Sequence, residues 1–274
     1  MENYIGGKGI FDIVTNADDI SENDKYYWGY QYRLANEVLV PYLTQTGCFS
    51  QGMSVAEIGC AEGGVLSAFV EAGATGALGT DIAQVRLDKA NDYTTRAGLN
   101  IEYANHDIVY SEPPAKWRQM FDLVLLRDVI EHLDHTDIAL RNIRRIIKPG
   151  GCLYVTFPPY HSAFGGHQHT VANKGGKIPF IHLLPDTIFH RLIATGRPND
   201  IEEVKRLQKI KLTPKKFEFA AAKEGLQVVL KDFFLLRPVY KMKFGIPSFK
   251  ISSLSFLPLV KNFLSLEASY VLRG

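Results

Sequence analysis

Hydrophobic positions first recur at helical spacing at Leu34, Val38, Leu39 and Leu43, and glycines at 47 and 52 break that pattern ahead of an apolar run at 53–58. This predicts helix, loop and strand. The run ends in Gly59-Cys60-Ala61-Glu62-Gly63-Gly64, after which Val65, Phe69 and Val70 share one helical face, so a strand feeds a helix through a glycine turn. Further short strands are predicted at 76–80, 101–104, 121–126 and 152–157, with helices at 83–97 and 136–147 between them. Lys148-Pro149-Gly150-Gly151 reads as a turn, because its residues cannot continue a helix. A helix at 213–224 and strands at 227–236 and 268–272 follow.

Strands alternating with helices predict an α/β fold. The expected form is Rossmann-like and doubly wound, a mostly parallel seven-stranded sheet with an antiparallel last strand and ligand binding at the carboxyl ends of the strands. Asp81, Asp107, Asp128 and the Gly59 turn all fall at such ends. After Phe157 the alternation stops, and a stretch rich in Gly, Pro and His predicts a lid inserted after the fifth strand. The expected organisation is a single domain over 1–274: a helical cap at 1–50, a cofactor-binding core at 51–157, a lid at 158–212, and a closing helix and strand pair at 213–274.

Composition narrows the classes. A chain that is 46% hydrophobic and 22% charged can build a packed core. The net charge of +2, with Lys and Arg spread along the chain, gives no basis for nucleic-acid binding. Cys48, Cys60 and Cys152 form no CxxC pair and are odd in number, which argues against a disulfide framework or thiolate zinc site and favours a reducing, cytoplasmic setting. The first twenty residues carry Asp12, Asp18 and Asp19 and lack the apolar centre of a signal peptide. Residues 251–266 are broken by Pro258, Lys261 and Asn262 and fall short of the ~20 apolar residues of a membrane span, which leaves only peripheral contact with lipid open.

The segments Val55-Ala56-Glu57-Ile58-Gly59-Cys60-Ala61-Glu62-Gly63, Asp81, His106-Asp107-Ile108, 121–133 and 148–151 follow one another as the motifs of class I S-adenosylmethionine-dependent methyltransferases do. Over 53–157 the chain resembles that family, in its small-molecule, ubiquinone- and polysaccharide-type branch. The resemblance implies S-adenosyl-L-methionine as cofactor. It further implies that Glu57 organises the glycine turn and holds the cofactor's amino group, while Asp81, followed by Ile82, accepts both ribose hydroxyls. Asp107 would receive the adenine amino group, Ile108 would cover the ring, and backbone at Arg127 and Asp128 would line the methionine and sulfonium region. Gly59, Cys60, Ala61 and Gly63 would let backbone approach the cofactor closely. Ala61 departs from the family, where glycine is usual. Tyr26, Tyr27, Trp28, Tyr30 and Tyr32 precede the first strand where related enzymes fold a helix over the cofactor; Tyr30 is the ring expected to shield the sulfonium, and plain packing is the alternative.

Methyl transfer from a sulfonium needs an aligned nucleophile and a base wherever that nucleophile carries a proton. His132, after Glu131, resembles the Glu-His pair of ubiquinone-type enzymes. In some quinol O-methyltransferases the corresponding Asp, Glu and His accompany a divalent metal, and Asp128, Glu131 and His132 match that pattern; the alternative is that they cap and pack a helix start. His161, His167 and His169 leave the fifth strand at the site mouth and are the remaining candidates for acceptor contact or base, against a reading as a solvated glycine-hinged loop. His167 and His169 have metal-like spacing, but no carboxylate or cysteine completes a set nearby in sequence, so no metal is assigned. Pro158-Pro159-Tyr160 resembles a motif of DNA amino-methyltransferases, yet it follows the fifth strand where theirs follows the fourth, which argues against DNA.

The expected function is methyl transfer to a small-molecule acceptor, at an oxygen of a sugar, quinol or phenol, by in-line displacement. Two other classes stay open. A nicotinamide-dependent Rossmann oxidoreductase also sets an acid about 20 residues after its glycines, and a non-catalytic binding protein could keep the same fold.

Overall fold

Two hydrophobic clusters sandwich one sheet, and adjacent residues of each central strand point alternately into them, as the two-residue period of a strand requires. In the computed structural model, which describes residues 9–254, 256–257 and 259–274, Ala56, Ile58, Val124, Leu126, Leu153 and Val155 face one cluster. Val55, Leu123, Leu125, Cys152 and Tyr154 face the other. Residues 1–8 of the amino-terminal stretch and Pro258 lie outside the described residues.

The elements run α1 (Ile10–Thr15), α2 (Glu22–Leu34), α3 (Val40–Gln45), β1 (Ser54–Ile58), α4 (Gly64–Glu71), β2 (Gly76–Asp81), α5 (Gln84–Arg96), β3 (Glu102–Asn105) and β4 (Phe121–Arg127). They continue as α6 (Thr136–Ile146), β5 (Ile147–Phe157), α7 (Asp186–Ile193), α8 (Pro198–Ile210), α9 (Pro214–Lys223), β6 (Gln227–Leu236), α10 (Val239–Phe244), β7 (Phe249–Lys250) and β8 (Glu267–Arg273). Side-chain caps fix two helix starts: Ser21 accepts from the Asp24 amide, and Thr213 from the Lys216 amide. Between α2 and α3 the helix widens into a π turn at Ala35–Leu39, next to Pro41, which has no amide to donate.

Strand order is β3-β2-β1-β4-β5-β8-β6-β7. β1 to β5 are mutually parallel, and β8 runs antiparallel to both β5 and β6. The antiparallel strand is therefore present as expected, with one addition: a two-residue eighth strand, β7, pairs with β6 at the sheet edge. Such a short pair carries too little periodicity to be read from sequence.

Two other expectations change form. Residues 148–151 do not stand as a separate turn; β5 already starts at Ile147, opposite Phe121, and pairing resumes at Leu123 with Cys152. The four residues bulge out of the strand, Gly150 takes φ +77°, and Lys148 reaches back to Asp122 at 2.7 Å. The stretch after β5 is not an open loop. It contains α7 and α8 and buries a small core of Val171, Ile181, Phe189, Ile193 and Val204. The Cys48 and Cys152 thiols, both free, meet at 2.7 Å inside the fold, while Cys60 lies apart in the glycine turn.

Candidate functional site

At the carboxyl end of the sheet the chain must turn sharply after β1, and positive-φ residues do so: Gly59 at +73°, Ala61 at +47° and Gly63 at +75°. Gly59 is required for a second reason, since a Cβ there would overlap the Val129 side chain. The amides of Gly59 and Cys60 bond the Thr80 carbonyl at 2.7 and 2.9 Å, tying this turn to the end of β2. Asp81, the last residue of β2, accepts the Ala61 amide on one carboxylate oxygen at 3.0 Å and the Ala83 amide on the other at 2.9 Å. The carboxylate is thus fixed in orientation, and each oxygen retains a further lone pair.

A cavity of about 530 Å³ opens over these strand ends. Glu57 borders it from β1, is 4% exposed, and leaves Oε2 without a hydrogen-bond partner. Burial pushes its carboxyl up to about 8 against the pull of the nearby Arg127 guanidinium, and Asp81 adds to the rise. Arg127 donates to Gln31 Oε1 at 3.2 Å but leaves Nε unpaired. Asp107 spends one oxygen on the Val109 and Tyr110 amides, at 2.8 and 3.1 Å, and its other oxygen has no partner among the described residues. Unpaired buried polar atoms around a cavity are costly unless a ligand completes them. The glycine turn, two acids and an unpaired guanidinium edge fit a cofactor with hydroxyls, an amino group and a carboxylate.

On the far side of the cavity, His132 sits in a 3₁₀ turn after β4. Its Nδ1 lies 2.6 Å from Glu203 Oε1 on α8, and its ring centroid lies 4.7 Å from that of His167. Glu131 Oε1 stands 3.8 Å from His132 Nε2 and 3.7 Å from His167 Nε2, and neither Glu131 oxygen has a hydrogen-bond partner. Burial pushes Glu131 up to about 7 although His132 pulls the other way. Burial drives His167 well below the ordinary imidazole range, with the neighbouring His132 and His169 adding to the fall. In His132 the same desolvation is outweighed by the Glu203 hydrogen bond and the Glu131 charge, and its value rises. The ligand atoms of Glu131, His132 and His167 lie within 4.8 Å of one another, a spacing that could hold a metal ion. Chain spacing hid this set, because the second imidazole comes from beyond β5.

Asp128, with φ +53°, does not join that set. Both its oxygens bond Arg237 Nη2, at 2.7 and 2.6 Å, and Arg237 Nε reaches Glu267 at 2.9 Å. The Arg237 guanidinium holds the Asp128 carboxyl below the usual range against the opposing effect of burial.

Of the residues expected at the site, Glu57, Gly59, Cys60, Ala61, Asp81, Ile82, Asp107, Ile108, Arg127, Asp128 and His132 border the cavity together. Gly63 lies behind it, where a Cβ would overlap Tyr103, and Gly64 borders it instead. Tyr30 is packed away from the cavity, with the Lys243 ammonium 4.2 Å from its ring centroid; Trp28 and Gln31 of the same helix take the bordering positions. The helix turns through about 100° per residue, so neighbours in one aromatic run face different ways. His167 backs His132, and His169 lies behind His167 at 5.8 Å between centroids. His161 is elsewhere, stacked on Phe263 at 5.6 Å. Sequence reading missed Trp28, Gln31 and the α8 residue Arg206 at the cavity, together with Glu203 and Arg237 behind it. Only Trp28 had a signal, its place in the aromatic run.

Residues 56–153 match the family model described as a methyltransferase domain. The chain is 30% identical over 152 residues to a ubiquinone biosynthesis O-methyltransferase of Coxiella burnetii, covering 56% of this chain and 61% of the relative. It is 29% identical over 104 residues to the enzyme of that name from Bartonella bacilliformis, covering 38% of this chain and 40% of the relative. The chain thus spans less than two thirds of the length of these curated relatives. Its fold is similar to that of an S-adenosylmethionine-dependent methyltransferase from Mesorhizobium loti, with a TM-score of 0.54, 14% identity, and coverage of 87% of this chain and 99% of that one. It is also similar to magnesium protoporphyrin IX methyltransferase from Synechocystis with bound S-adenosylhomocysteine, with a TM-score of 0.53, 11% identity, and coverage of 96% and 92%.

Proposed function

We propose that this chain, whose residues 56–153 match a methyltransferase-domain family model and whose fold is similar to that of S-adenosylmethionine-dependent methyltransferases, binds S-adenosyl-L-methionine and methylates an oxygen of a small molecule. The observation that carries the proposal is the pairing of Glu57 and Asp81 on neighbouring strand ends around one glycine turn, with a buried Glu57 oxygen left for a ligand donor. In this reading Asp81 holds the ribose hydroxyls, Glu57 the amino group, and the free Asp107 oxygen the adenine amino group. Arg127 pairs with the methionine carboxylate. When bound, the cofactor supplies a methyl group on a sulfonium leaving group.

Two imidazoles, His106 and His132, border the cavity, and the role of base goes to His132, whose ring is oriented by Glu203. Glu203 accepts the proton on Nδ1, which leaves the Nε2 lone pair to receive one from an acceptor hydroxyl. Arg206 keeps this arrangement in place by bonding both the His132 carbonyl and Glu203. The names of the curated relatives support oxygen as the acceptor atom. The oxidoreductase alternative loses support from the sheet, because an antiparallel β8 between β5 and β6 departs from the all-parallel 3-2-1-4-5-6 order of dinucleotide-binding folds.

Calorimetry with S-adenosylhomocysteine tests the cofactor half: wild type binds, and Asp81→Ala loses roughly 30-fold or more. Affinity for NADH without affinity for S-adenosylhomocysteine would refute it. The base assignment predicts that His132→Ala lowers kcat roughly 100-fold or more, with cofactor affinity unchanged, on whichever member of a sugar, quinol and phenol panel yields a product heavier by one methylene. Activity should survive a chelator. Loss of turnover on chelation, restored by a divalent ion, would instead give Glu131, His132 and His167 to a metal.

A further inference from the structure

Charge is distributed very unevenly over this fold. The lid, 158–212, and the connection 237–266 together contain thirteen Lys and Arg and four acidic residues, out of 31 basic and 29 acidic residues in the chain. The remainder is therefore net acidic, although the whole is almost neutral. Both basic segments leave the same end of the sheet, because β6 and β5 are each antiparallel to β8 and so parallel to one another. One follows Phe157 and the other follows Leu236. They meet where His161 stacks on Phe263.

The same segments expose large apolar side chains. In the connection, Phe256 is 75% exposed, Leu259 71% and Phe244 63%, and Phe249 and Leu264 are more than half exposed. In the lid, Ile178, Leu184 and Ile188 are exposed as well. Exposed apolar groups in this number mark an interaction surface. Of the lysines in the connection, Lys241 and Lys250 lie beside Glu37 and Asp232. Lys243 is held over the Tyr30 ring, whereas Lys261 has no acidic partner among the described residues. No helix of the described residues is long and apolar enough to cross a membrane.

We infer that this face is a docking surface for an anionic lipid bilayer, with the apolar side chains entering the headgroup boundary and the lysines meeting lipid phosphates. Apolar insertion combined with basic charge is the pairing that holds a peripheral protein on such a surface. A protein partner would have to supply both an apolar face and a matching acidic surplus, whereas a bilayer of anionic lipid offers both at once. The face adjoins the cavity, since Arg237, which opens the connection, bonds Asp128 at the cavity wall. A consequence rests on the methyltransferase reading: the acceptor is an amphiphile whose polar head enters the cavity while its tail stays in the lipid.

The test is flotation of the full chain with vesicles of phosphatidylglycerol and phosphatidylcholine in parallel with vesicles of phosphatidylcholine alone. Binding is expected to the anionic vesicles only, and to weaken as salt screens the charge. Lys261→Glu should weaken it about fivefold or more, and Phe256→Ser with Leu259→Ser roughly tenfold or more, with melting temperature and S-adenosylhomocysteine affinity unchanged. Equal binding to both vesicle types, or none, overturns the inference. So does self-association in sedimentation that the same substitutions abolish, which would make the face a contact between copies of the chain. Vesicle binding without affinity for S-adenosylhomocysteine would leave the docking surface standing and remove the methyltransferase reading; the reverse result would remove only the docking surface.

Discussion

Glu57→Gln is expected to weaken cofactor binding while making the cofactor-free protein more stable in mild alkali. The carboxyl sits at about 8 in the fold, above the ~4.3 of an unfolded chain. Between those values the folded state keeps a proton that the unfolded state has released, so stability falls as pH rises through the window and levels off above about 8. The slope is about 1.4 kcal/mol per pH unit for one fully linked group. Gln has the same shape and never ionises, which removes the decline. Thermal melts should place the variant several degrees above wild type at pH 8, with the gap closing toward pH 5. Calorimetry should show affinity for S-adenosylhomocysteine reduced roughly 10- to 100-fold, the worth of a hydrogen bond to a charged group. A variant that melts below wild type at pH 8, or binds as tightly, would contradict both the burial argument and the role given to Glu57.

Arg237→Met carries the largest expected cost in stability. Arg237 is mostly buried and joins Asp128 near the end of β4 to Glu267 at the start of β8, and Glu267 is only 6% exposed. Removing the cation strands the Glu267 carboxylate, a type of change that costs about 3 kcal/mol or more. Asp128 is about a third exposed and recovers part of its hydration. The melting temperature should fall by roughly 6 to 12 °C for a chain of this size. The double variant Arg237→Met with Glu267→Gln should recover part of the loss, because no buried charge is then left unpaired. No recovery would mean that Arg237 stabilises by packing its stem and not by neutralising Glu267.

Residues 53–157 are legible in the sequence because strand ends, glycine turns and acids follow one another within short windows, and local periodicity places each on the sheet. Asp81 and Asp107 can be assigned to one rim from the order of elements alone, since parallel strands deliver their last residues to the same edge. The partners of His132 and Asp128 are not legible. Glu203 arrives from α8 and Arg237 from the end of β6, and nothing in their sequence neighbourhoods marks them. His167 is a candidate by sequence, but its meeting with Glu131 depends on how the lid folds back, which spacing alone does not encode. The evenly scattered lysines and arginines suggest no charged face at all. The asymmetry emerges only when topology sends two separate segments to one end of the sheet.

The position of β8 between β5 and β6 governs how a growing chain can fold. Until residues 267–273 have been synthesised, β6 has no partner on its inner edge and β5 offers an open edge to any passing strand. Those unsatisfied backbone groups invite pairing between nascent chains. β5 and β6 thus join one sheet only once β8 is available, and both edges stay open to wrong partners until that strand slots between them.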